Sequence, residues 1–453
     1  RKTPEFKPQT MGVVGALSEV TSASEDALRL LISVLAGYPL AVVHRTFFYN
    51  KPAQHQHLFF VIVGLSLWMF NCGSSVIHPI LSIFGAFFIT NFMAGTDASI
   101  YAAHIVFLGH LLIGYWFHET DTYDITWTTP FCIMTLRFIG LVMDVYDGAQ
   151  KPEHLKPDQK LTAISDKPGL LEIAAFGLFF QGTLVGPQFT LSKFRSFVNG
   201  DWLDSDGQPP KSAFLPSIGR FLAGCTYMVL HQWGQFWIPD QYFNSDAYNN
   251  LSFFWRWSWV TLWFRLTMYK YCAMWLITEG ASILSGLGHN GKDAEGNDRW
   301  DGVRDLHIIK WETGHDYNSV VESFNCGTIW HGYHLGYFLL FGVELGCVQA
   351  QNQLYALIKR TPGWSEAISK PISRPFIWIF GKLTISYSMG FAFLMFGLIK
   401  TKYWIGPVKS LYFIGFIIYF IVWPILHMVL LRVLPRHPKK AAAEKPEEVK
   451  KEL

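Results

Sequence analysis

Residues 330–341 read WHGYHLGYFLLF, and they place His331 and His334 at the start of an apolar run that extends to residue 349. Apolar runs of about 20 residues are typical of helices that cross a membrane. An ionisable side chain inside such a helix is costly, so it usually marks a functional site. The neighbouring glycines Gly332 and Gly336 would let another backbone or a substrate chain come close.

Similar apolar runs recur along the whole chain, which predicts an all-α, polytopic membrane protein. They cover residues 27–48, 57–71, 74–94, 99–118, 128–145, 170–190, 214–238, 251–285, 327–349, 375–399 and 410–434. The second and third runs are short and are separated by Asn71-Cys72-Gly73, so they can form one broken helix. The run 251–285 is long enough for one tilted span and an interfacial piece. We therefore predict about nine to eleven membrane helices.

The composition agrees with a membrane protein. Of the 453 residues, 50% are hydrophobic and only 16% are charged, whereas soluble proteins carry roughly 25% charged residues. The net charge of +3 is too small to indicate nucleic-acid binding. The six cysteines are scattered without a C-x-x-C pair, so we predict neither a zinc site nor a disulfide framework.

Three regions follow from the distribution of polar residues. We predict a polar N-terminal segment at 1–26, a transmembrane catalytic domain at 27–434 and a charged C-terminal tail at 435–453. No signal-peptide pattern precedes the first apolar run, so that run is expected to start membrane insertion. The tail ends with Lys450-Lys451-Glu452-Leu453, which resembles a cytosolic dilysine signal and predicts a multi-pass protein of the endoplasmic reticulum membrane.

His331 can act in three ways. As a metal ligand it would need further partners, and His334 alone does not complete a site, so we predict no metal. As a structural residue it would donate a hydrogen bond to a carbonyl group. As a general base it would use a neutral imidazole, which is the form that shelter from water favours at pH 7. Such a base takes the proton of a hydroxyl group.

The pattern W-H-G-x-x-x-G-Y at residues 330–337 resembles the membrane-bound O-acyltransferase (MBOAT) family. Further stretches resemble its lysophosphatidylcholine and lysophospholipid acyltransferase branch: DITWTTPFC at 124–132, LVGPQF at 184–189, and the segment from Tyr269-Lys270-Tyr271 through Thr278-Glu279-Gly280 to Gly286-Leu287-Gly288. The resemblance covers about residues 60–434. The W-H-G motif alone is moderately specific, whereas the four stretches in this order are much more specific.

The resemblance implies acyl transfer from acyl-CoA to the free glycerol hydroxyl of a lysophospholipid, chiefly lysophosphatidylcholine, during phospholipid remodelling. It also implies that the membrane helices enclose a catalytic chamber and that polyunsaturated acyl chains are preferred. His331 would be the general base, and the amide of Asn325 would stabilise the oxyanion or orient the substrate. Acyl-CoA is then a cosubstrate, and no separate cofactor is required.

Other residues near these motifs have two interpretations each. Trp330, His334 and Tyr337 would line the substrate site or simply pack around it. Glu279 would either line the catalytic chamber or serve in packing and helix capping. Trp127 is expected to have a primarily structural role. Five basic residues near helix ends stay unassigned between coenzyme A contacts and interfacial anchors: Lys193, Arg195, Arg265, Lys270 and Arg304.

The chain departs from the family pattern between Asn325 and His331. Here Phe324-Asn325 is followed at once by Cys326 and the W-H-G motif, whereas relatives have roughly thirty more residues, about one membrane helix. Residues six apart on a continuous helix point about 120° away from each other. Asn325 and His331 would then not reach one carbonyl group. Three explanations are open: a splice variant or gene-model omission, residues omitted from the chain, or a shortened enzyme.

Alternative functions use the same helices differently. A polytopic lipid transporter or scramblase would not need His331. An acyltransferase that modifies proteins or sterols would share the W-H-G motif but not the other three stretches. A catalytically impaired isoform would follow from the shortened segment. The partners expected are acyl-CoA, lysophospholipid and the lipid bilayer, with no nucleic acid, and the sequence leaves the oligomeric state open.

Overall fold

The computed structural model describes residues 12–21, 23–118, 125–321 and 334–435. Within these ranges the chain is helical and contains no strand. The α-helices are α1 Val13–Thr21, α2 Glu25–Val43, α3 Ala53–Cys72, α4 Ile77–Phe92, α5 Asp97–Ala103, α6 Gly109–Phe117, α7 Thr128–Gly148, α8 Pro157–Thr162, α9 Leu170–Gly177, α10 Leu191–Asn199, α11 Phe214–Trp237, α12 Asp246–Asn249, α13 Phe253–Ser285, α14 Ile308–Thr313, α15 Tyr317–Val321, α16 Leu335–Arg360, α17 Trp364–Ser369, α18 Arg374–Gly397, α19 Thr401–Ser410, α20 Ile414–Phe416 and α21 Trp423–Val433.

The helices include segments that can cross a membrane. In the described ranges, seven helical stretches are long and apolar enough: Glu25–Phe48, Ala53–Phe92, Asp97–Phe117, Thr128–Gly148, Lys211–Asn244, Pro371–Gly397 and Ile414–Val433. The prediction of an all-helical polytopic membrane protein is confirmed. The count of nine to eleven spans stays a prediction, as do the region boundaries at residues 26 and 435.

Two long apolar regions differ in how they are built. Ala53–Phe92 is one helical stretch interrupted by a 3₁₀ turn at Gly73–Val76, where Gly73 has φ +55°, as the Asn71-Cys72-Gly73 sequence predicts. By contrast, α13 is a single unbroken helix of 33 residues, about 50 Å long. Its length leaves room for a tilted span and an interfacial piece, which stays a prediction.

The run 170–190 is not the membrane helix that its apolarity predicts. Only α9 is helical there, and residues 178–190 are largely buried irregular backbone. Arg137 of α7, itself 3% exposed, donates to the carbonyl oxygens of Phe176, Gly182 and Pro187 at 3.3, 2.7 and 2.9 Å. Irregular backbone persists inside a membrane protein only where other protein groups satisfy it. The Arg137 guanidinium meets that requirement here.

The core of the described residues forms two hydrophobic clusters that α13 joins. The first contains residues of α3 to α10, such as Phe60 and Phe138. The second contains residues of α13, α16, α18 and α19. The C-terminal end of α13 reaches the first cluster through Ile283, while its middle lies in the second. This helix therefore fixes the position of one cluster relative to the other.

Candidate functional site

The predicted catalytic residues His331 and Asn325, and the predicted substrate residue Trp330, lie outside the described residues. The structure describes the chain again from His334, which precedes α16. The backbone of His334 is extended, with φ −63° and ψ 133°, and the helix begins at Leu335. His334 is thus the N-cap residue of α16, at the start of the helix that the 327–349 run predicts.

The first turn of α16 packs against the C-terminal end of α18. A Cβ atom added to Gly336 would lie 2.0 Å from the carbonyl oxygen of Met395, so a glycine is needed for this approach. Tyr337 is 6% exposed, and its ring centroid lies 4.7 Å from that of Phe396. The His334 ring makes an edge contact with Tyr337, with centroids 5.3 Å apart. Two of the three described residues that were predicted to bind substrate, His334 and Tyr337, therefore lie beside the C-terminal end of α18.

Aromatic contacts continue from this point into the middle of the second cluster. Phe396 contacts Phe393 with ring centroids 5.5 Å apart, and Phe393 contacts Trp263 at 5.4 Å. The indole N–H of Trp263 donates to Oδ1 of Asp240 at 2.9 Å. These rings connect the beginning of α16 with the polar residues that follow α11.

A cavity of about 170 Å³ lies beside these rings, between α11, α13 and α18. We call it the α11–α13–α18 cavity. Its polar lining comes from the following residues: His231 and Gln235 of α11, Asp240, and Thr267, Lys270 and Tyr271 of α13. Phe396 lines it as well, so the aromatic ring that contacts Tyr337 also borders the cavity. The beginning of α16 thus adjoins a space with hydrogen-bonding walls.

Glu279 of α13 lies elsewhere, in a buried ion-pair cluster. It is 2% exposed. Its Oε1 accepts a hydrogen bond from Nε of Arg304 at 3.1 Å and forms an ion pair with Nε of Arg220 at 3.2 Å. Its Oε2 atom is buried without a hydrogen-bond partner. Glu279 does not border the α11–α13–α18 cavity. The position fits the packing interpretation, and the substrate-binding role stays a prediction.

The connecting segment 286–307 contributes a second buried carboxyl group beside the Gly186-Pro187 turn. The backbone N–H of Gln188 donates to Oδ2 of Asp305 at 3.0 Å. Burial raises the pKa of Asp305 from 3.8 to about 6, because an ionised carboxylate is poorly solvated there. The LVGPQF stretch is therefore tied to the connecting segment through Asp305.

All five unassigned basic residues make contacts within the protein. Lys193 donates to the carbonyl oxygen of His289, Arg195 and Arg265 pair with Glu172 and Glu312, and Arg304 pairs with Glu279. The Nζ atom of Lys270 lies 5.0 Å from the ring centroid of Tyr271, and Lys270 also lines the α11–α13–α18 cavity. Trp127, expected to be structural, stacks on His78 with ring centroids 3.6 Å apart and is 5% exposed.

Sequence reasoning missed His231 and Asp240. His231 lies within the apolar run 214–238, so the signal that singled out His331, an ionisable group in a membrane helix, applies to it equally. Arg137 in the run 128–145 carries the same signal. Asp240 has no such signal, because it lies just beyond the run and only the tertiary structure brings it to the cavity.

Comparison with known sequences identifies the relatives of this chain. The sequence model described as "MBOAT, membrane-bound O-acyltransferase family" matches residues 112–328 and 326–390. "Lysophospholipid acyltransferase 5" of Caenorhabditis elegans is 94% identical over 473 residues, which cover 98% of this chain and all of the relative.

More distant proteins carry similar names. "Lysophospholipid acyltransferase 5" of Bos taurus is 33% identical, with 93% of each chain covered. "Lysophospholipid acyltransferase" of Schizosaccharomyces pombe is 23% identical, with 86% of this chain and 84% of the relative covered.

Both comparisons also bear on the shortened segment. The family match consists of two pieces that meet at residues 326–328, next to Asn325. The alignment with the Caenorhabditis elegans protein is 473 residues long and exceeds the 453 residues of this chain. The relative therefore has residues that this chain lacks, and the family match is interrupted where the sequence predicts a missing segment.

Proposed function

Because this chain belongs to the membrane-bound O-acyltransferase family, we propose that it transfers a fatty acyl group from acyl-CoA to the free glycerol hydroxyl of a lysophospholipid. Its acyltransferase activity follows from the family. The choice of a lysophospholipid acceptor rests on the names of relatives that align over almost the whole chain. Lysophosphatidylcholine is the acceptor that the sequence resemblance favours.

In the proposed reaction, His331 takes the proton of the lysophospholipid hydroxyl while its oxygen attacks the thioester carbonyl carbon. The amide of Asn325 stabilises the negative charge on the tetrahedral intermediate. The carbon–sulfur bond then breaks, and the coenzyme A sulfur takes the proton from the imidazolium. The products are a diacyl phospholipid and coenzyme A, and no covalent acyl-enzyme is formed.

The structural observation that supports this proposal is the polar cavity beside the beginning of α16. His334 and Tyr337 follow the W-H-G motif directly and connect through Phe396 to that cavity. A general base needs its substrate hydroxyl within hydrogen-bond reach. The cavity beside the beginning of α16 offers a place for the substrate.

The substitution His331→Ala tests the role of the base. In microsomes, acyl transfer from acyl-CoA to a lysophospholipid is expected to fall about 10²–10⁴-fold, while the melting temperature in detergent stays unchanged. A lipid transporter would instead move lipid between leaflets independently of His331, as a fluorescent-lipid scrambling assay would reveal. Full acyl transfer by the variant would refute the proposed mechanism.

A second proposal concerns the shortened segment. We propose that the residues present in the Caenorhabditis elegans relative bring Asn325 and His331 to one carbonyl group. Without them this chain is expected to be about 10²–10³-fold slower, the usual cost of losing an oxyanion donor. Inserting the relative's additional residues after Asn325 should restore the rate, and the restored activity should depend on both Asn325 and His331. Equal rates with and without the insertion would contradict the proposal.

The acyl donor and the location are proposed on sequence grounds. We propose acyl-CoA with a polyunsaturated chain as the preferred donor, which competition between saturated and polyunsaturated acyl-CoA would test; equal use of both argues against it. We also propose the endoplasmic reticulum membrane, with Lys450 and Lys451 facing the cytosol. An epitope on the tail that stays protected after selective plasma-membrane permeabilisation would exclude that orientation.

A further inference from the structure

The α11–α13–α18 cavity has walls that suit a small polar group rather than an acyl chain. Six of the nine described residues that line it carry polar side-chain groups: His231, Gln235, Asp240, Thr267, Lys270 and Tyr271. Burying a hydrocarbon chain against unpaired polar atoms is unfavourable for those atoms. Its volume of about 170 Å³ is also below the range of roughly 300–1,000 Å³ that is typical of whole-ligand pockets.

His231 presents a hydrogen-bond acceptor to this cavity. Its Nδ1 lies 3.0 Å from the carbonyl oxygen of Leu266, and a carbonyl oxygen only accepts, so Nδ1 carries the hydrogen. The Nε2 atom of the neutral ring therefore has a free lone pair. His231 is 9% exposed, and within the described residues Nε2 has no partner. His231 lines the cavity, so this lone pair can accept a hydrogen bond from a donor bound there.

Two further acceptors border the same space. The Nε2 of Gln235 donates to Oγ1 of Thr267 at 3.5 Å, which leaves the amide oxygen as an acceptor. Asp240 uses Oδ1 for the Trp263 indole, and its Oδ2 has no partner among the described residues. Three acceptors, one of them a carboxylate oxygen, suit a cation that donates hydrogen bonds.

The charged residues of the lining come from two parts of the chain. Asp240, which follows α11, accepts a hydrogen bond from Trp263 of α13, and Lys270 is seven residues further along α13, about two turns away. Asp240 is exposed, and Lys270 is the one lysine or arginine among the described lining residues. The cavity thus presents a negative and a positive group that are separated along α13.

We propose that this cavity binds the zwitterionic headgroup of the lysophospholipid, with its cationic nitrogen at Asp240 and its phosphate at Lys270. This inference rests on the proposed function. Choline and ethanolamine headgroups share the cationic nitrogen, and the ring of Phe396 offers a cation–π surface for either. The primary ammonium of ethanolamine also donates hydrogen bonds, which His231 and Gln235 accept. The glycerol is bonded to the phosphate, so it extends from the Lys270 side of the cavity.

Coenzyme A fits this lining less well. Its nucleotide end carries several phosphate charges, which are usually bound by several cations or a bidentate arginine. Among the described lining residues Lys270 is the one lysine or arginine, and Asp240 carries the opposite charge. The cavity therefore favours a ligand with one positive and one negative group.

The test measures binding to this chain in detergent without an acyl donor, so it does not depend on turnover. Three probes share the glycerol and phosphate: lysophosphatidylcholine, lysophosphatidylethanolamine and lysophosphatidic acid, which lacks the cationic nitrogen. Asp240→Asn keeps the acceptor for Trp263 but removes the charge. This variant is expected to bind both zwitterionic lipids about tenfold more weakly, equivalent to about 1.4 kcal/mol. Its affinity for lysophosphatidic acid is expected to stay unchanged.

His231→Asn separates the two headgroups. The asparagine amide can still donate to the Leu266 carbonyl, but the Nε2 acceptor is lost. Binding of lysophosphatidylethanolamine should weaken several-fold, while lysophosphatidylcholine, which donates no hydrogen bond from its nitrogen, should bind as before.

Matched controls are Asp246→Asn, an exposed carboxylate outside the cavity, and His57→Asn, an equally buried histidine of the first cluster. Neither is expected to alter the affinity for any probe. Equal weakening of all three lipids by Asp240→Asn, or no weakening, overturns the headgroup site. Absence of acyl transfer alongside the expected binding pattern would instead count against the proposed function alone.

Discussion

Asp305 illustrates how one buried group can make stability depend on pH. Its carboxyl group accepts the Gln188 backbone N–H, yet burial raises its pKa from 3.8 to about 6. The folded protein therefore binds this proton more tightly than the unfolded chain does. The resulting stabilisation is complete below about pH 4 and is lost as the pH rises through about 6.

Asp305→Asn is therefore expected to stabilise the protein at neutral pH. At pH 7.5 the variant should gain about 1–3 kcal/mol, since each pKa unit corresponds to about 1.4 kcal/mol, and the gain should vanish near pH 4. Melting temperatures in detergent between pH 4 and 8 measure this. Asp298→Asn in the same segment should show the opposite sign, because a hydrogen bond from Ser212 lowers the pKa of Asp298. A gain for Asp305→Asn that does not change with pH would contradict the assignment.

At the scale of helices, the contact between α16 and α18 determines the position of the first turn of α16. Gly336 allows the two backbones to approach, and an added Cβ would also lie 3.1 Å from the Trp404 indole nitrogen. Met395 is completely buried, so its carbonyl group cannot easily move aside. The position of Tyr337 against Phe396 depends on this close approach.

Gly336→Ala is expected to separate the two helices and to lower stability by about 1–3 kcal/mol, the usual cost of overpacking. Acyl transfer should fall as well, because the beginning of α16 moves relative to the cavity. Gly342→Ala on the same helix is the matched control, since its Cβ would meet no atom within 4 Å. That variant should be neutral or slightly more stable, given the better helix propensity of alanine. Similar melting temperatures for both variants would contradict the close contact.

At the scale of the whole molecule, α13 holds the two hydrophobic clusters together. Its middle packs in the second cluster and its end in the first. The ion-pair cluster of Glu279 with Arg220 and Arg304 lies near that end and joins α11, α13 and the connecting segment 286–307. The ion pairs of Glu279 with Arg220 and Arg304 therefore help to hold the two clusters together.

Glu279→Gln keeps the shape of the side chain but leaves two partly buried guanidinium groups without their counter-charge. Stability is expected to fall by about 2–4 kcal/mol, since breaking a buried pair is costly. Glu25→Gln, which removes a half-exposed partner of Arg29, should change stability by less than about 1 kcal/mol. Thermal unfolding in detergent compares them. If the two variants have the same melting temperature, the packing of α11, α13 and the connecting segment 286–307 does not depend on the charge of Glu279.

The sequence predicted the helical class and most helix positions because apolar runs respond to the membrane environment locally. The run 128–145, for example, became Thr128–Gly148. The prediction of a membrane helix at 170–190 was wrong, because the apolar residues there are buried by neighbouring helices rather than by lipid. Arg137 satisfies the hydrogen bonds of the irregular backbone. Apolarity indicates burial, but it does not distinguish a membrane helix from a loop packed inside the protein.

By itself, the sequence determined that this is a many-helix membrane protein of the acyltransferase type, because hydropathy and short motifs are local properties. It also located the interruption beside Asn325. Only the tertiary structure decided that His231, Asp240 and Lys270 share one cavity with Phe396, and that Glu279 belongs to an ion-pair cluster instead. Those groups lie far apart along the chain or on different helices, and the packing of α11, α13 and α18 brings them together.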